Sequence, residues 1–301
     1  MIRPPYLKRR DTIGIVSTAR KVTEAELAPA IKKFQEWGLK VAIGKNLFNE
    51  YNQFAGTDEE RAEDFQAMLD DPNIKAIVCA RGGYGTIRVM EELSFFKFKK
   101  DSKWIVGYSD ITVLHSYMQK HFSCETIHAT MPLNFPEDGS DNESTVSLKA
   151  ALFGELPVQN AAPHEFNRTG ETGGILTGGN LSLISSLRGT YLEAEMNGRI
   201  LFIEDVDEYL YHIDRMMMNL KTSGILGGLK GMIVGGFSDM KDNTVPFGKT
   251  AYEIIKDAVD DFDFPVCFGF EAGHLPVNKA MYMGRPVKLT ITDEGVELRF
   301  S

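Results

Sequence analysis

Three side chains in this sequence could cooperate in acyl transfer: a serine at a strand-to-helix corner, a carboxylate closing an apolar strand, and a histidine in a loop bordered by glycine and proline. The serine is Ser109, within "IVGYSDITVLHSYM". A β-rich run there meets Gly107, then Tyr108, Ser109 and Asp110, and a helical pattern begins at once. A nucleophilic hydroxyl needs an exposed corner, a base within reach and an oxyanion site. A strand–turn–helix corner supplies the first and the third. It projects the side chain, and it turns the N–H of Asp110 toward a helix N-terminus, where negative charge is stabilised. G-Y-S-D is not the G-x-S-x-G elbow, however, and on the local pattern alone Ser109 reads as a helix cap rather than a nucleophile.

The carboxylate is Glu204, at the end of Ile200–Ile203 in "RILFIEDV". A charge in that apolar setting needs a partner; a salt bridge to Arg215 is the plain structural alternative to a catalytic role. The histidine is His274 in "FGFEAGHLPVN", a position that orients the ring yet lets it shuttle protons. An ordinary loop histidine is its alternative. His115 and His121 fall within a helix, His128 in a strand, His164 in a linker and His212 at a helix start. There is no HExxH or HxxxH pattern, and three dispersed cysteines do not make a zinc site, so no metal or cofactor is expected. The "ARGGYG" stretch lacks the Lys-Ser/Thr of a P-loop and the G-x-G-x-x-G spacing. Its glycines instead let backbone N–H groups approach a ligand closely, as an oxyanion hole requires. Cys79, just before it, is a rival nucleophile of the amidotransferase type, but it sits inside the strand with no elbow.

These residues need a scaffold that presents strand ends. The first half alternates: "DTIGIVST", "LKVAIG", "KAIVCARGGYG", "KWIVGYSD" and "ETIHAT" read as strands. Between them lie helical segments: "TEAELAPAIKKFQEWG", with Thr23 as N-cap and Gly38 as stop; "TDEERAEDFQAMLDDPNI", opening on Thr57 and an acidic first turn; "TIRVMEEL"; and "ITVLHSYMQKHF". This rhythm implies right-handed βαβ crossovers and a largely parallel, Rossmann-like sheet, with ligands bound beyond the strand carboxyl ends. After a turn-rich loop and a helix in "TVSLKAALFGE", the breaker-rich "LPVQNAAPHEFNRTG" reads as a linker. The expected organisation is an α/β N-terminal domain over 1–156, a linker over 157–172, and a smaller β-rich α/β domain over 173–301, with the site in the cleft between domains. In the second half "TGGILTGGNLSLISSL" reads as a Gly-rich loop into a helix that starts near Asn180 or Ser182. "HIDRMMMNLKTSG" is an amphipathic helix, and "VKLTIT"/"VELRF" across Asp293-Glu294-Gly295 is a hairpin.

The chain has 301 residues, a formal net charge of −9 and no Lys/Arg-rich tract, which argues against nucleic acid as partner. It has no apolar run of membrane-spanning length, and prolines and charges stand where a signal peptide would be apolar. Three widely spaced cysteines fit free thiols in a reducing compartment, so a cytoplasmic protein is expected.

"ARGGYG", "GYSDITVLH", "GGNLSLI", "FIEDVDEYLYHIDRMMMNL", "GGF" and "GHLPVN", in that order, resemble the S66 serine peptidases, the LD-carboxypeptidase group. The resemblance runs from about Asp11 to the final hairpin. It implies a Ser–Glu–His triad with Ser109 as nucleophile, Glu204 as acid and His274 as base. It also implies oxyanion donors at the N–H of Asp110 and of a second residue: Gly83, with Gly82 or Tyr84 open. Arg81 and Lys279 flank the two loops and are candidates for a terminal carboxylate. The implied activity is release of the terminal D-alanine from cytoplasmic murein tetrapeptides, in a homodimer. A microcin C-type immunity peptidase is the related alternative, and a non-catalytic two-lobed small-ligand-binding protein is the alternative from another class. The "RGGYG" motif, and the absence of tryptophan from any site loop (only Trp37 and Trp104 occur), favour the murein branch.

Overall fold

The computed structural model describes residues 1–301. The first half forms β1 (Thr12–Val16), α1 (Glu24–Glu36), β2 (Lys40–Ile43), α2 (Asp58–Asp70), β3 (Ile74–Cys79), α3 (Thr86–Val89), β4 (Trp104–Gly107), α4 (Thr112–Phe122), β5 (Thr126–His128) and α5 (Glu143–Phe153). Helix starts follow local chemistry. Thr23 and Glu26 close a reciprocal capping box on α1, and Thr57 and Glu60 do the same on α2. The strands pair in parallel in the order β2-β1-β3-β4-β5. Strand order reverses between β1 and β3, and sheets of this kind open a crevice beyond the carboxyl ends at that point. The loops placed there run from Ser17 to Arg20 and from Arg81 to Gly85.

The second half adds β6 (Val158–Ala161), β7 (Gly170–Asn180), α6 (Leu181–Ser186), β8 (Ile200–Val206), α7 (Leu210–Thr222), β9 (Gly231–Ser238), α8 (Ala251–Val259), β10 (Val266–Cys267), β11 (Met281–Met283), β12 (Pro286–Thr292) and β13 (Gly295–Phe300). Its sheet runs β10-β9-β8-β7-β12-β13-β6, with the first four strands parallel and the β12–β13 hairpin antiparallel. The molecule is thus α/β with two multi-stranded sheets.

Three stretches differ from the sequence reading. Residues 157–172, expected as a linker, contain β6, paired with β13, and the start of β7, paired with β12. A chain running along a sheet edge satisfies its backbone groups by joining the sheet. "TGGILTGGN" is a strand rather than a loop, because its glycines let β8 pack closely: a Cβ on Gly178 would overlap the Phe202 carbonyl. Lastly, β11 leaves the second half and pairs antiparallel with β5 on the edge of the first sheet. Its three residues are fully buried, and one apolar cluster runs without a break from Trp104 through Tyr282 to Leu176 and Phe202. The two sheets therefore share a core, which holds the loops at their junction.

Candidate active site

Ser109 follows β4 with φ at +63°, a left-handed conformation that few non-glycine residues adopt. It does not act as a side-chain cap: neither the short 3₁₀ turn at Ser109–Ile111 nor α4 receives a capping hydrogen bond. The corner is fastened from beneath. Buried Asp110 accepts a 2.7 Å bond from the Thr86 N–H, tying the Ser109 turn to the glycine loop before α3. Burial pushes the Asp110 carboxyl above its ordinary range. Neither Asp110 N–H nor the N–H groups of Gly82, Gly83 and Tyr84 donate to a protein acceptor, so both loops keep donors for an oxyanion. Gly82 comes nearest the serine: a Cβ there would stand 2.9 Å from Ser109 Cβ and 3.0 Å from its Oγ. Gly82→Ala is therefore expected to slow fluorophosphonate labelling of Ser109 by roughly 10²-fold through misplacement of the hydroxyl, with little change in melting temperature. Labelling at the wild-type rate would contradict this packing account.

Glu204 occupies the carboxyl end of β8 and is completely buried. Its Oε2 lies 2.6 Å from His274 Nδ1 and also accepts the His274 N–H at 3.2 Å. Arg215 is elsewhere, stacked on Tyr211. Gly273 makes the approach possible: at φ +99° it would carry a Cβ only 2.6 Å from the Glu204 side chain. Burial lowers the basicity of His274, but the Glu204 hydrogen bond and the charges of Glu204 and Asp205 outweigh it, so the ring titrates above its ordinary value. A buried carboxylate whose second oxygen has no partner favours a positive charge on the adjoining ring.

Ser109 and His274 line one cavity of about 540 Å³ at the junction of the sheets, together with Arg20, Arg81, Gly82, Gly83, Tyr108, Asn180 and the acidic run Asp205, Asp207 and Glu208. No hydrogen bond joins the Ser109 hydroxyl to the His274 ring in this arrangement. Arg81 points a guanidinium at the Lys21 carbonyl at 3.0 Å. Burial, then the neighbouring Arg20 charge, lowers its pKa. Lys279 does not reach this cavity. It is held outside by Glu271, Glu143 and the Asn160 carbonyl, because β11 draws the chain after His274 back to the first sheet. Arg20, which the sequence reading missed, takes its place among the cleft cations and forms no ion pair. Its side chain fills the space beside Gly83.

Two further residues that the sequence did not mark as site residues line the cavity, although Asn180 was expected near the start of a helix. Asn180 caps α6, donates to Asp205 at 2.9 Å and, through its own N–H, reaches Thr112 Oγ1 at 3.0 Å on α4. Asp205 is pushed up to about 7 by burial and by the adjacent Glu204 charge. Cys79 is fully buried, its thiol pushed up to about 12 by that burial, which removes it as a nucleophile. A larger groove of about 750 Å³ lies between α8 and the 237–250 segment, but it holds no nucleophile–base pair.

Family models for the LD-carboxypeptidase N-terminal and C-terminal domains match residues 13–129 and 173–289. A Bacillus subtilis (strain 168) protein named "Probable murein peptide carboxypeptidase" is 33% identical over 309 residues, covering 98% of this chain and 95% of its own length. The Pseudomonas aeruginosa murein tetrapeptide carboxypeptidase is 28% identical over 302 residues, covering 96% and 94%. The crystal structure of muramoyltetrapeptide carboxypeptidase from Oxalobacter formigenes superposes with a TM-score of 0.86 at 26% identity, covering 96% of this chain and 98% of that one. The microcin immunity protein MccF, solved with glutamyl sulfamoyl guanosine, has the same fold: TM-score 0.86 at 20% identity, covering 98% and 97%. With both halves matched and a relative this similar over nearly its whole length, the chain belongs to the LD-carboxypeptidase family of S66 serine peptidases, which are hydrolases.

Proposed function

We propose that this chain is a serine carboxypeptidase that hydrolyses the L,D-peptide bond of murein tetrapeptides and releases the terminal D-alanine. The observation that carries the reading is the 2.6 Å His274–Glu204 pair, buried on one side and opening on the other to the cavity that holds left-handed Ser109. In the reaction His274 takes the Ser109 proton as the hydroxyl oxygen attacks the scissile carbonyl. Glu204 fixes the ring tautomer and stabilises the imidazolium. The Asp110 N–H and a donor from the Gly82–Tyr84 loop, Gly83 by preference, hold the tetrahedral oxyanion; one such donor typically lowers the barrier by roughly 3–4 kcal/mol. His274 then protonates the leaving amine, and water, deprotonated by the same ring, cleaves the acyl-enzyme. The Ser–His contact closes with substrate in place, as catalytic hydrogen bonds often do.

A carboxypeptidase must also recognise a free terminal carboxylate. Arg81 and Arg20, side by side on the wall of the first sheet and without ion-pair partners, suit that task. Tyr108 is the one Phe, Tyr or Trp side chain lining the cavity, and Trp37 and Trp104 lie in the core. That lining gives a nucleobase little to stack on and favours the murein reading over peptide-nucleotide hydrolysis. The three cysteines are buried and unpaired, which supports a cytoplasmic setting, and no helix is long and apolar enough to cross a membrane.

Incubating the protein with murein tetrapeptide and following free D-alanine tests the proposal. Stoichiometric D-alanine and tripeptide are the expected products. Cleavage of an aminoacyl sulfamoyl nucleoside but not of the tetrapeptide would overturn it in favour of the immunity branch, and hydrolysis of neither would favour a binding protein.

A further inference from the structure

We propose that Asn278, supported by the buried ring of His128, is a positioning residue that holds the His274 loop in register with Ser109 across the junction of the two sheets. The inference rests on the triad reading above and assigns a role to two residues outside the cavity lining.

Asn278 belongs by its backbone to the first-sheet side. Its N–H donates to Ser144 Oγ at 2.9 Å on α5. The chain continues along that helix, with Ala280 N–H on Ser147 Oγ at 3.0 Å and the Tyr282 hydroxyl on the Ala151 carbonyl at 2.7 Å. Its side chain faces the other way. Asn278 Oδ1 accepts the Gly273 N–H at 2.9 Å, and Gly273 is the residue whose missing Cβ lets Glu204 meet His274. Three contacts therefore fix the loop that carries the base. Glu204 holds its N–H, Ser238 Oγ holds the His274 carbonyl at 2.6 Å, and Asn278 holds the preceding amide. Only the last is anchored on the side of the nucleophile.

His128 explains how the carboxamide keeps its orientation. The ring is fully buried, packed edge-on to Phe202 and beside Tyr108, with Asn278 as its polar neighbour. Both ring nitrogens and Asn278 Nδ2 are buried without a hydrogen-bond partner in this arrangement. With Oδ1 committed to Gly273, the Asn278 NH₂ has the bare nitrogen of a neutral imidazole as its available acceptor. Burial, with the nearby His115 and His274 rings, keeps His128 well below its ordinary value and so neutral. His128 in turn sits in register with Gly107, two residues before Ser109. His115 grips the same Gly107 carbonyl at 2.9 Å. The support thus runs from the nucleophile corner through His128 and Asn278 to Gly273 and the base, and it spans the gap that the Ser109–His274 contact must close.

His128→Phe keeps ring volume and removes the acceptor offered to the Asn278 NH₂, and His128→Gln restores a polar partner. The expected result is a roughly 10- to 100-fold drop in kcat for D-alanine release in His128→Phe and in Asn278→Ala. KM should stay within about twofold because neither residue lines the cavity. Fluorophosphonate labelling of Ser109 should slow in parallel, and His128→Gln should regain most of the rate. Wild-type kcat and labelling in His128→Phe would overturn the proposal. So would a loss that tracks melting temperature and is not relieved by glutamine. A wild-type protein that labels at Ser109 but releases no D-alanine removes the substrate assignment alone, and the labelling rates still decide the role of His128. A wild-type protein that takes no label removes triad and brace together.

Discussion

Ser109→Ala is expected to reduce kcat for D-alanine release by roughly 10³- to 10⁶-fold while the fold persists. The size follows from the mechanism: without the hydroxyl there is no acyl-enzyme, and only binding and the oxyanion donors remain. The stability side follows from the backbone. At φ +63° a side chain is strained whichever residue carries it, and the Ser109 hydroxyl caps no helix, so alanine leaves melting temperature nearly unchanged. Ser109→Gly sharpens the test. Glycine adopts this conformation freely, so the variant is expected to be as inactive as alanine and to melt at or above the wild-type temperature. Strain at a corner that glycine would relax is a mark of a position kept for chemistry. Turnover retained in either variant, measured beside the melting curve, removes Ser109 from the mechanism.

Glu204→Gln is expected to lower kcat by roughly 10²- to 10⁴-fold, less than the serine change, and to move the acid limb of the pH–rate profile. His274 must be neutral to accept a proton, so activity rises with pH through its pKa. In the wild type burial pulls that pKa down, and the Glu204 hydrogen bond and charge, with Asp205, more than restore it; the limb should lie above the ordinary imidazole value. Glutamine removes the larger of the two charges and leaves burial in place. The limb must therefore shift toward lower pH even as the maximum rate falls, because the ring loses both its orienting partner and the stabilisation of its charged form. A kcat/KM profile across the imidazole range on both proteins checks this. A lower rate with an unmoved limb would mean that Glu204 only packs against the loop. Asp205, itself pushed up to about 7, contributes a second titration, so apparent values in this range belong to Asp205 and His274 together rather than to one residue.

The sequence carried much of this because its strongest signals are local. The capping boxes at Thr23 and Thr57 are spelled within four residues. Parallel strands buried on both faces read as short apolar runs, and the strand-to-helix corner at Gly107–Asp110 is a contiguous string. "GHLPVN" marked the His274 loop in the same way, and the resemblance of six such strings to one family joined residues that spacing alone could not. The structure then put Glu204 and His274, 70 residues apart, within hydrogen-bond distance.

What the sequence did not determine is whatever depends on which segments meet. The breaker-rich 157–172 stretch became partly sheet because an open edge at β13 accepted it. The glycines of "TGGILTGGN" mark a strand because β8 packs against them, a fact held in residues about 25 positions away. Lys279 left the cleft and Arg20 entered it, each because of where a distant segment packs. The short, wholly buried "MYM" returns to β5 and carries Lys279 outward, while the loop after β1 folds over Gly83 and brings Arg20 in. His128 and Asn278 looked like an ordinary strand histidine and a loop asparagine. Only when two sheets share a core does one lie under Ser109 and the other under His274. Local propensity and turn chemistry are properties of neighbouring residues and survive in a string of letters. Burial, long-range pairing and the charges that shift a pKa depend on the closed chain, and these are what tertiary structure decided here.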